Sequence, residues 1–551
     1  MTSTANASRR PRWLLPSLTG YRREWLGADI VGGLSAGAVV VPQAMAYATI
    51  ANLPVQVGLY TCILPMLVYA LLGGSRAMSV STTSTIATLT ATTLVSAGVA
   101  ASADDPDAAL GSLVLLTMLV GAILLIAWLL RLGSLVENIS GATVLGLKIG
   151  VGATVAVGQL PKLLGETGNV SGEGFIHSLV AVGAALDSIN WPTVALSVGS
   201  ILVLVVLQRF APRVPGTLIV VVVGILLSAF TGLTAAGVAL IDPVPSGFPP
   251  PSLPDFTHLP ELVPGALAIA IMAFLESAAV ARGIRKATEP QVDSNQELFA
   301  TGAANVVGAF FTTMPAAGGF SQSAVNQNAG AKTQLSTIVT VVLAILVALF
   351  LGPVLSLLPQ ATLAAMVFVA VMGLINIPEL VRWARISRID FWIALVVALI
   401  GLSAGLLPAV AIGVVMTLIL VLREVNIPKL DVIDREGDAL AVHLGRGLYT
   451  ANAAENARAI VALATSQAPP VDALVLDVER LDIVTVTILD ALENLDRELA
   501  QLGIVLHLAR LPEKATAIAR KTPWFEGLEG AGRVHATVEE GLAAASATPA
   551  R

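Results

Sequence analysis

Apolar runs long enough to cross a bilayer as helix, about 20 residues each, recur along the chain from residue 27 to residue 423. Fourteen segments can be delimited: 27–47, 58–74, 82–100, 110–130, 140–160, 191–208, 214–232, 263–281, 296–313, 319–331, 335–358, 360–376, 390–406 and 408–423. The third and the tenth are weaker than the rest, being short or rich in Ser, Thr and Gly. Each opens on a helix-poor stretch, Arg76–Thr85 and Met314–Ser323, before a helical pattern sets in. Each is also third in its half of seven. The pattern predicts a polytopic α-helical membrane protein of 7+7 inverted repeats.

Interrupted segments at matching positions of two halves point to a transporter whose site lies at the membrane midplane between them. Extended backbone at that depth must find partners in protein or cavity water. The helix that follows leaves unpaired N–H groups and a positive dipole end at the break. Two such ends make an anion site without requiring Lys or Arg. The candidate substrate-binding residues are therefore Thr83 and Ser84 in segment three, and Phe320, Ser321, Gln322 and Ser323 in segment ten. An acidic residue at the centre of a span is costly and marks function. Glu276, near the middle of segment eight, is the candidate for ion coupling, and Gln43 of segment one, its counterpart in the first half, is a further substrate-binding candidate. Lys148 has a more ordinary reading, as a side chain snorkelling from the inner part of segment five.

Composition excludes several classes. The chain has 551 residues, 55% apolar and only 12% charged, about half the charge of a soluble protein. A net charge of −6 gives no basic footprint for nucleic acid. One cysteine, Cys62, and five scattered histidines leave no disulfide and no metal-ligand spacing. No GxxxxGK[ST] loop occurs, so no cofactor or nucleotide is expected and the protein is not read as an enzyme.

Charge also divides the chain. Residues 427–551 hold 12 Lys/Arg and 18 Asp/Glu, a soluble proportion, whereas residues 1–426 hold 19 of each. We expect a cytoplasmic N-terminal segment over 1–26 that is not a cleaved signal, a transmembrane transport domain over 27–426 and a cytoplasmic domain over 427–551, with Pro428 ending the last helix. With the N-terminus inside and fourteen crossings, 17 of the 19 body Lys/Arg fall on the inner side, as the positive-inside rule requires. Both termini are expected in the cytoplasm and the chain in the cell's inner (plasma) membrane.

Several stretches resemble the sulfate permease (SulP) family of anion transporters: Val41-Pro-Gln-Ala-Met-Ala-Tyr-Ala, Gly158-Gln-Leu-Pro-Lys-Leu-Leu-Gly, Asn295-Gln-Glu-Leu and Gly319-Phe-Ser-Gln-Ser-Ala-Val-Asn. The resemblance implies core and gate domains, an anion site between segments three and ten, and a C-terminal α/β STAS domain. Two departures stand out. Many relatives carry Arg where this chain has Gln322, and the usual Gly-Pro of segment three is Ser81-Thr82 here. In the tail, 439–444, 473–478 and 503–508 read as strands and 489–502 as a helix, with Thr487 read as its cap.

The expected function is secondary active transport of a small inorganic or carboxylate anion such as sulfate or bicarbonate, by alternating access. The coupling ion is expected to be H+, with Na+ as the rival, and the protein is expected to be a homodimer in the lipid bilayer. An anion channel, an anion exchanger and a sodium-coupled bicarbonate symporter are the alternative readings.

Overall fold

The computed structural model describes residues 15–99, 106–133, 141–166, 175–211, 214–286, 289, 291–404, 406–481 and 484–547. Of the charges behind the expected sidedness, Arg9, Arg10, Arg12 and Arg213 on the inner side and Asp104, Asp105 and Glu173 on the outer side lie outside these residues. Every one of the fourteen predicted segments contains a helix. Among the described residues, seven helical stretches are long and apolar enough to cross a membrane, and three shorter apolar helices accompany them. The outward faces carry large apolar side chains, among them Val198, Leu202, Val222 and Leu346. The inward faces carry hydroxyls: in the helix Ser84–Ser96, the residues Ser84, Thr85, Thr88, Thr90 and Thr93 are all buried. Thr88, Thr90 and Thr93 each donate to the carbonyl four residues back, at 2.7–2.8 Å, so these hydroxyls are satisfied within their own helix. This is a helical membrane protein with its polar groups inside.

The helices form two bodies. Segments one to four pack with eight to eleven to make the core; five to seven pack with twelve and thirteen to make the gate. Thr143 of segment five donates to the Gly413 carbonyl of segment fourteen at 3.1 Å. The packing repeats under exchange of halves. Segment three packs on eight and ten on one; four on nine and eleven on two; five on thirteen and twelve on six. Such pairing of partners is what a 7+7 inverted repeat produces.

Two helices among the described residues of the membrane body were not expected. Phe175–Ala185 and Ile377–Ile386 each sit between the fifth and sixth segments of their half. At 11 and 10 residues they are too short to span, and Ile377–Ile386 buries no residue. Local signals start it: the Asn376 side chain caps the Glu379 N–H at 3.0 Å, and Pro378 occupies the first turn.

Contacts divide the chain into Met1–Val415 and Met416–Arg551; the last helix of the body, Leu406–Asn426, runs across that division and ends before Pro428. The second unit contains a five-stranded sheet in sequence order: Leu430–Glu436, Ala439–Leu444, Ala473–Asp477, Val505–Ala509 and Val534–His535. The first pair is antiparallel and the rest are parallel. The helix Val486–Gln501 lays Ile488, Leu492, Leu495 and Leu499, a helical stripe, onto Leu474, Leu476, Leu506 and Leu508. Thr485, not Thr487, is the N-cap of that helix, and Thr487 falls inside it. The strand Leu430–Glu436 escaped the sequence reading because it is a charged edge strand, mostly exposed, as edges that must not pair with other chains are.

Candidate substrate site between the two broken segments

The helix-poor stretches become a two-stranded antiparallel ladder, with Val80 opposite Gly318 and Ser81 opposite Ala317. One helix begins at Ser84 beyond one end of the ladder, and the other at Phe320 beyond the opposite end. The two half-helices therefore run away from each other, and their positive ends meet at the ladder. A ladder this short needs help to persist inside a membrane, and neighbours supply it. Ser277 Oγ accepts the Gly318 N–H at 2.9 Å, the Ser79 carbonyl accepts the Gly319 N–H at 3.1 Å, and Ser323 Oγ accepts the Ser79 N–H at 2.9 Å. The Gln322 amide donates to Ser81 Oγ at 2.7 Å. Gly318 is required here, since a Cβ would lie 2.5 Å from Met78 Sδ and 3.0 Å from the Ser277 backbone.

Glu276 is 6% exposed. Its carboxylate accepts the Thr83 hydroxyl at 2.8 Å, while Thr83 Oγ1 accepts the Ile86 N–H at 3.3 Å as the helix N-cap. The coupling candidate of segment eight is thus hydrogen-bonded to the residue that opens the half-helix of segment three. Tyr47 lies beside Ser84 and Glu276, and Gln43 is one turn before it on the same helix face. Gln43 Oε1 and Thr82 Oγ1 are buried and find no hydrogen-bond partner among the described residues, and the Thr85 hydroxyl lies beside Glu276.

The candidates of segment ten divide. Phe320 and Ser321 are exposed, whereas Gln322 and Ser323 are buried at 3% and 0%. The side chains of Gln322 and Ser323 are committed to the ladder, so they position the half-helix. The Ser323 N–H bonds the Gly319 carbonyl at 3.1 Å. The donors left without an intrahelical partner are the first three of the helix, those of Phe320, Ser321 and Gln322.

The sequence reading did not assign roles to several neighbours. Lys148 Nζ stands 5.2 Å from the centroid of the Phe320 ring. The signal for it was a cation deep in an apolar span, which snorkelling explains only near a helix end. Two buried carboxylates fasten the loops flanking the broken segments. Asp29 accepts the Lys332 and Thr333 N–H groups at 2.6 and 3.0 Å and the Thr333 hydroxyl at 2.7 Å. Glu297 accepts the Tyr69 hydroxyl at 2.9 Å and the Gly74 N–H at 3.0 Å. Among the described residues no cluster of three His, Cys, Asp or Glu could hold a metal ion.

Comparisons with known proteins agree with this architecture. Residues 26–397 match the model of the sulfate permease family. A probable sulfate transporter of Mycobacterium tuberculosis is 32% identical over 513 residues, covering 90% of each chain. Sulfate transporter 4.1, chloroplastic, of Arabidopsis thaliana is 31% identical over 419 residues, 75% of this chain and 60% of that one. Among solved structures, the murine Solute Carrier 26 family member A9 anion transporter in the inward-facing state superposes with a TM-score of 0.85 at 23% identity, covering 97% of this chain and 94% of that one. The transmembrane domain of the cyanobacterial bicarbonate transporter BicA gives 0.61 at 22% identity, over 72% of this chain and 98% of that one. The structural likenesses carry the fold, and the family match covers most of the membrane body. The chain belongs to the sulfate permease family.

Proposed function

We propose that the protein is a secondary active transporter of a small oxyanion, with sulfate the first candidate, driven by co-transported protons. The supporting observation is the Thr83–Glu276 hydrogen bond at 2.8 Å, which joins a buried acid to the N-cap of one of two facing half-helices. The anion sits between the half-helix ends, on the N–H groups of Ser84, Thr85, Phe320, Ser321 and Gln322, with Gln43 beside them. An ionised Glu276 repels the anion, and protonation removes that repulsion. Proton and anion then each favour the binding of the other, which is the thermodynamic content of symport. The core carries both groups and moves against the gate, so that the site opens to one side at a time.

In this reading fourteen segments cross the plasma membrane, both termini are cytoplasmic, and residues 427–551 form a STAS domain in a homodimer. The relatives in Mycobacterium tuberculosis and Arabidopsis thaliana bear sulfate transporter names, which favours sulfate over bicarbonate as the anion to test. The purified chain in liposomes should accumulate labelled sulfate when the outside is acidified and stop when an uncoupler dissipates the gradient. Accumulation driven by sodium at uniform pH would replace the proton with sodium. Currents far above transporter turnover, without accumulation against a gradient, would make it a channel.

A further inference from the structure

We propose that Lys148, on the gate, is the cation of the anion site and sets its preference for doubly over singly charged anions; this rests on the transport reading above. Gly141 opens the helix of segment five and Lys148 lies seven residues in, about 10 Å along the axis. Glu276 lies seven residues before the inner end of its helix at Gly283. Each residue thus lies about two turns from the end of its helix, one on the gate and one on the core. Lys148 Nζ is over the Phe320 ring at 5.2 Å, and Phe320 is the first residue of the half-helix of segment ten. Lys148 is only partly buried and Phe320 is exposed, so the pair is not sealed in a packed interior. The charged and titratable groups about Glu276 are this lysine and the Tyr47 phenol.

A charge count gives the consequence. Each half-helix end contributes roughly +0.5 and Lys148 contributes one positive charge. With Glu276 ionised the site is near +1 and suits a monoanion; with Glu276 protonated it is near +2 and suits a dianion. Divalent transport is then tied to the proton and monovalent transport is not. The aromatic ring holds the ammonium by cation–π attraction while core and gate are apposed, and the lysine turns to the anion when one arrives.

The test uses the full chain in proteoliposomes, with labelled sulfate and labelled nitrate as probes. Cys62 is the sole cysteine, so Lys148→Cys in a Cys62→Ser background can be modified with methanethiosulfonates bearing an ammonium, a methyl or a sulfonate group. Lys148→Cys should raise half-saturation for sulfate by about tenfold or more and for nitrate by about threefold. The ammonium adduct should restore the sulfate preference, and the methyl and sulfonate adducts should not. Lys148→Arg should keep that preference and Lys148→Met lose it, which reads the same point without modification. Equal effects on both anions, or equal rates for the ammonium and methyl adducts, would overturn the assignment while leaving proton-driven uptake intact. Failure of the unmodified protein to move either anion would instead sink the transport reading itself.

Discussion

Thr83 and Glu276 are 193 residues apart in sequence and 2.8 Å apart in space, the hydroxyl donating to the carboxylate. The same hydroxyl accepts the Ile86 N–H, so one side chain joins the acid of segment eight to the first turn of segment three. A hydrogen bond to a charged group contributes about 1.5–3 kcal/mol. Thr83→Ala should therefore weaken the link between pH and uptake and destabilise the helix start by about 1 kcal/mol. Thr83→Ser should retain both. The pH dependence of sulfate half-saturation measures the first effect, and thermal unfolding in detergent the second.

The exposed Ser321 is the more direct probe of the half-helix end, because Ser323 is wholly buried in support of the ladder. Ser321→Asp places a carboxylate on the unpaired donors. Two anions ~4 Å apart repel by about 4 kcal/mol at an effective dielectric of 20, close to a thousandfold in affinity. Ser323→Ala should act differently, lowering stability by about 1–3 kcal/mol because the Ser79 N–H loses its acceptor. Equilibrium binding of labelled sulfate separates the two, and normal binding by Ser321→Asp would move the site away from this helix end.

Topology can be read with single cysteines in the Cys62→Ser background. Leu253 is 80% exposed on the side predicted to face outward, and Arg385 lies exposed on the short helix Ile377–Ile386. In right-side-out vesicles an impermeant reagent should label Leu253→Cys and spare Arg385→Cys. Labelling of Arg385→Cys would break the fourteen-span arrangement.

The second unit carries a pH dependence of its own. Burial, then the neighbouring His535 and Arg533, push His507 down to about 4. The unfolded imidazole takes up its proton near pH 6.5. Between these values the unfolded chain binds more protons, so stability falls as pH drops from about 6.5 towards 4, by about 3 kcal/mol in all. His535 is lowered in the same direction by burial. Burial works against the Asp477 carboxylate, but hydrogen bonds from Arg510 and His443 outweigh it and hold it below its usual value. Its contribution is present above about pH 4 and is lost below. Thermal unfolding of residues 427–551 against pH should show both losses, and His507→Leu should flatten the first. A fragment starting at residue 435 should be less stable, since it cuts the strand Leu430–Glu436 from its partner.

The membrane body was legible because its signal is long-ranged and repetitive. Apolar runs, the inner bias of Lys and Arg, and the paired weak segments all read from composition alone. Glu276 was visible for the same reason, as a costly charge in an apolar run. What could not be read was which polar group meets which. Hydropathy treats Ser321 and Ser323 alike, yet one is exposed and the other is buried against Ser79. Lys148 looked like a snorkelling side chain until its helix was placed across from Phe320. Asp29 and Glu297 lie at the starts of their helices, where an acid is unremarkable; their partners come from loops distant in sequence.

The central claim is that Glu276 links a proton to the anion held at the paired helix ends, and Glu276→Gln tests it most directly. The amide copies the neutral acid, so anion should still bind and exchange across the membrane. Labelled-sulfate uptake into proteoliposomes should then be the same at every external pH, with no accumulation under an inward proton gradient. Gradient-driven accumulation by Glu276→Gln with the pH dependence of the unmodified chain would contradict the account.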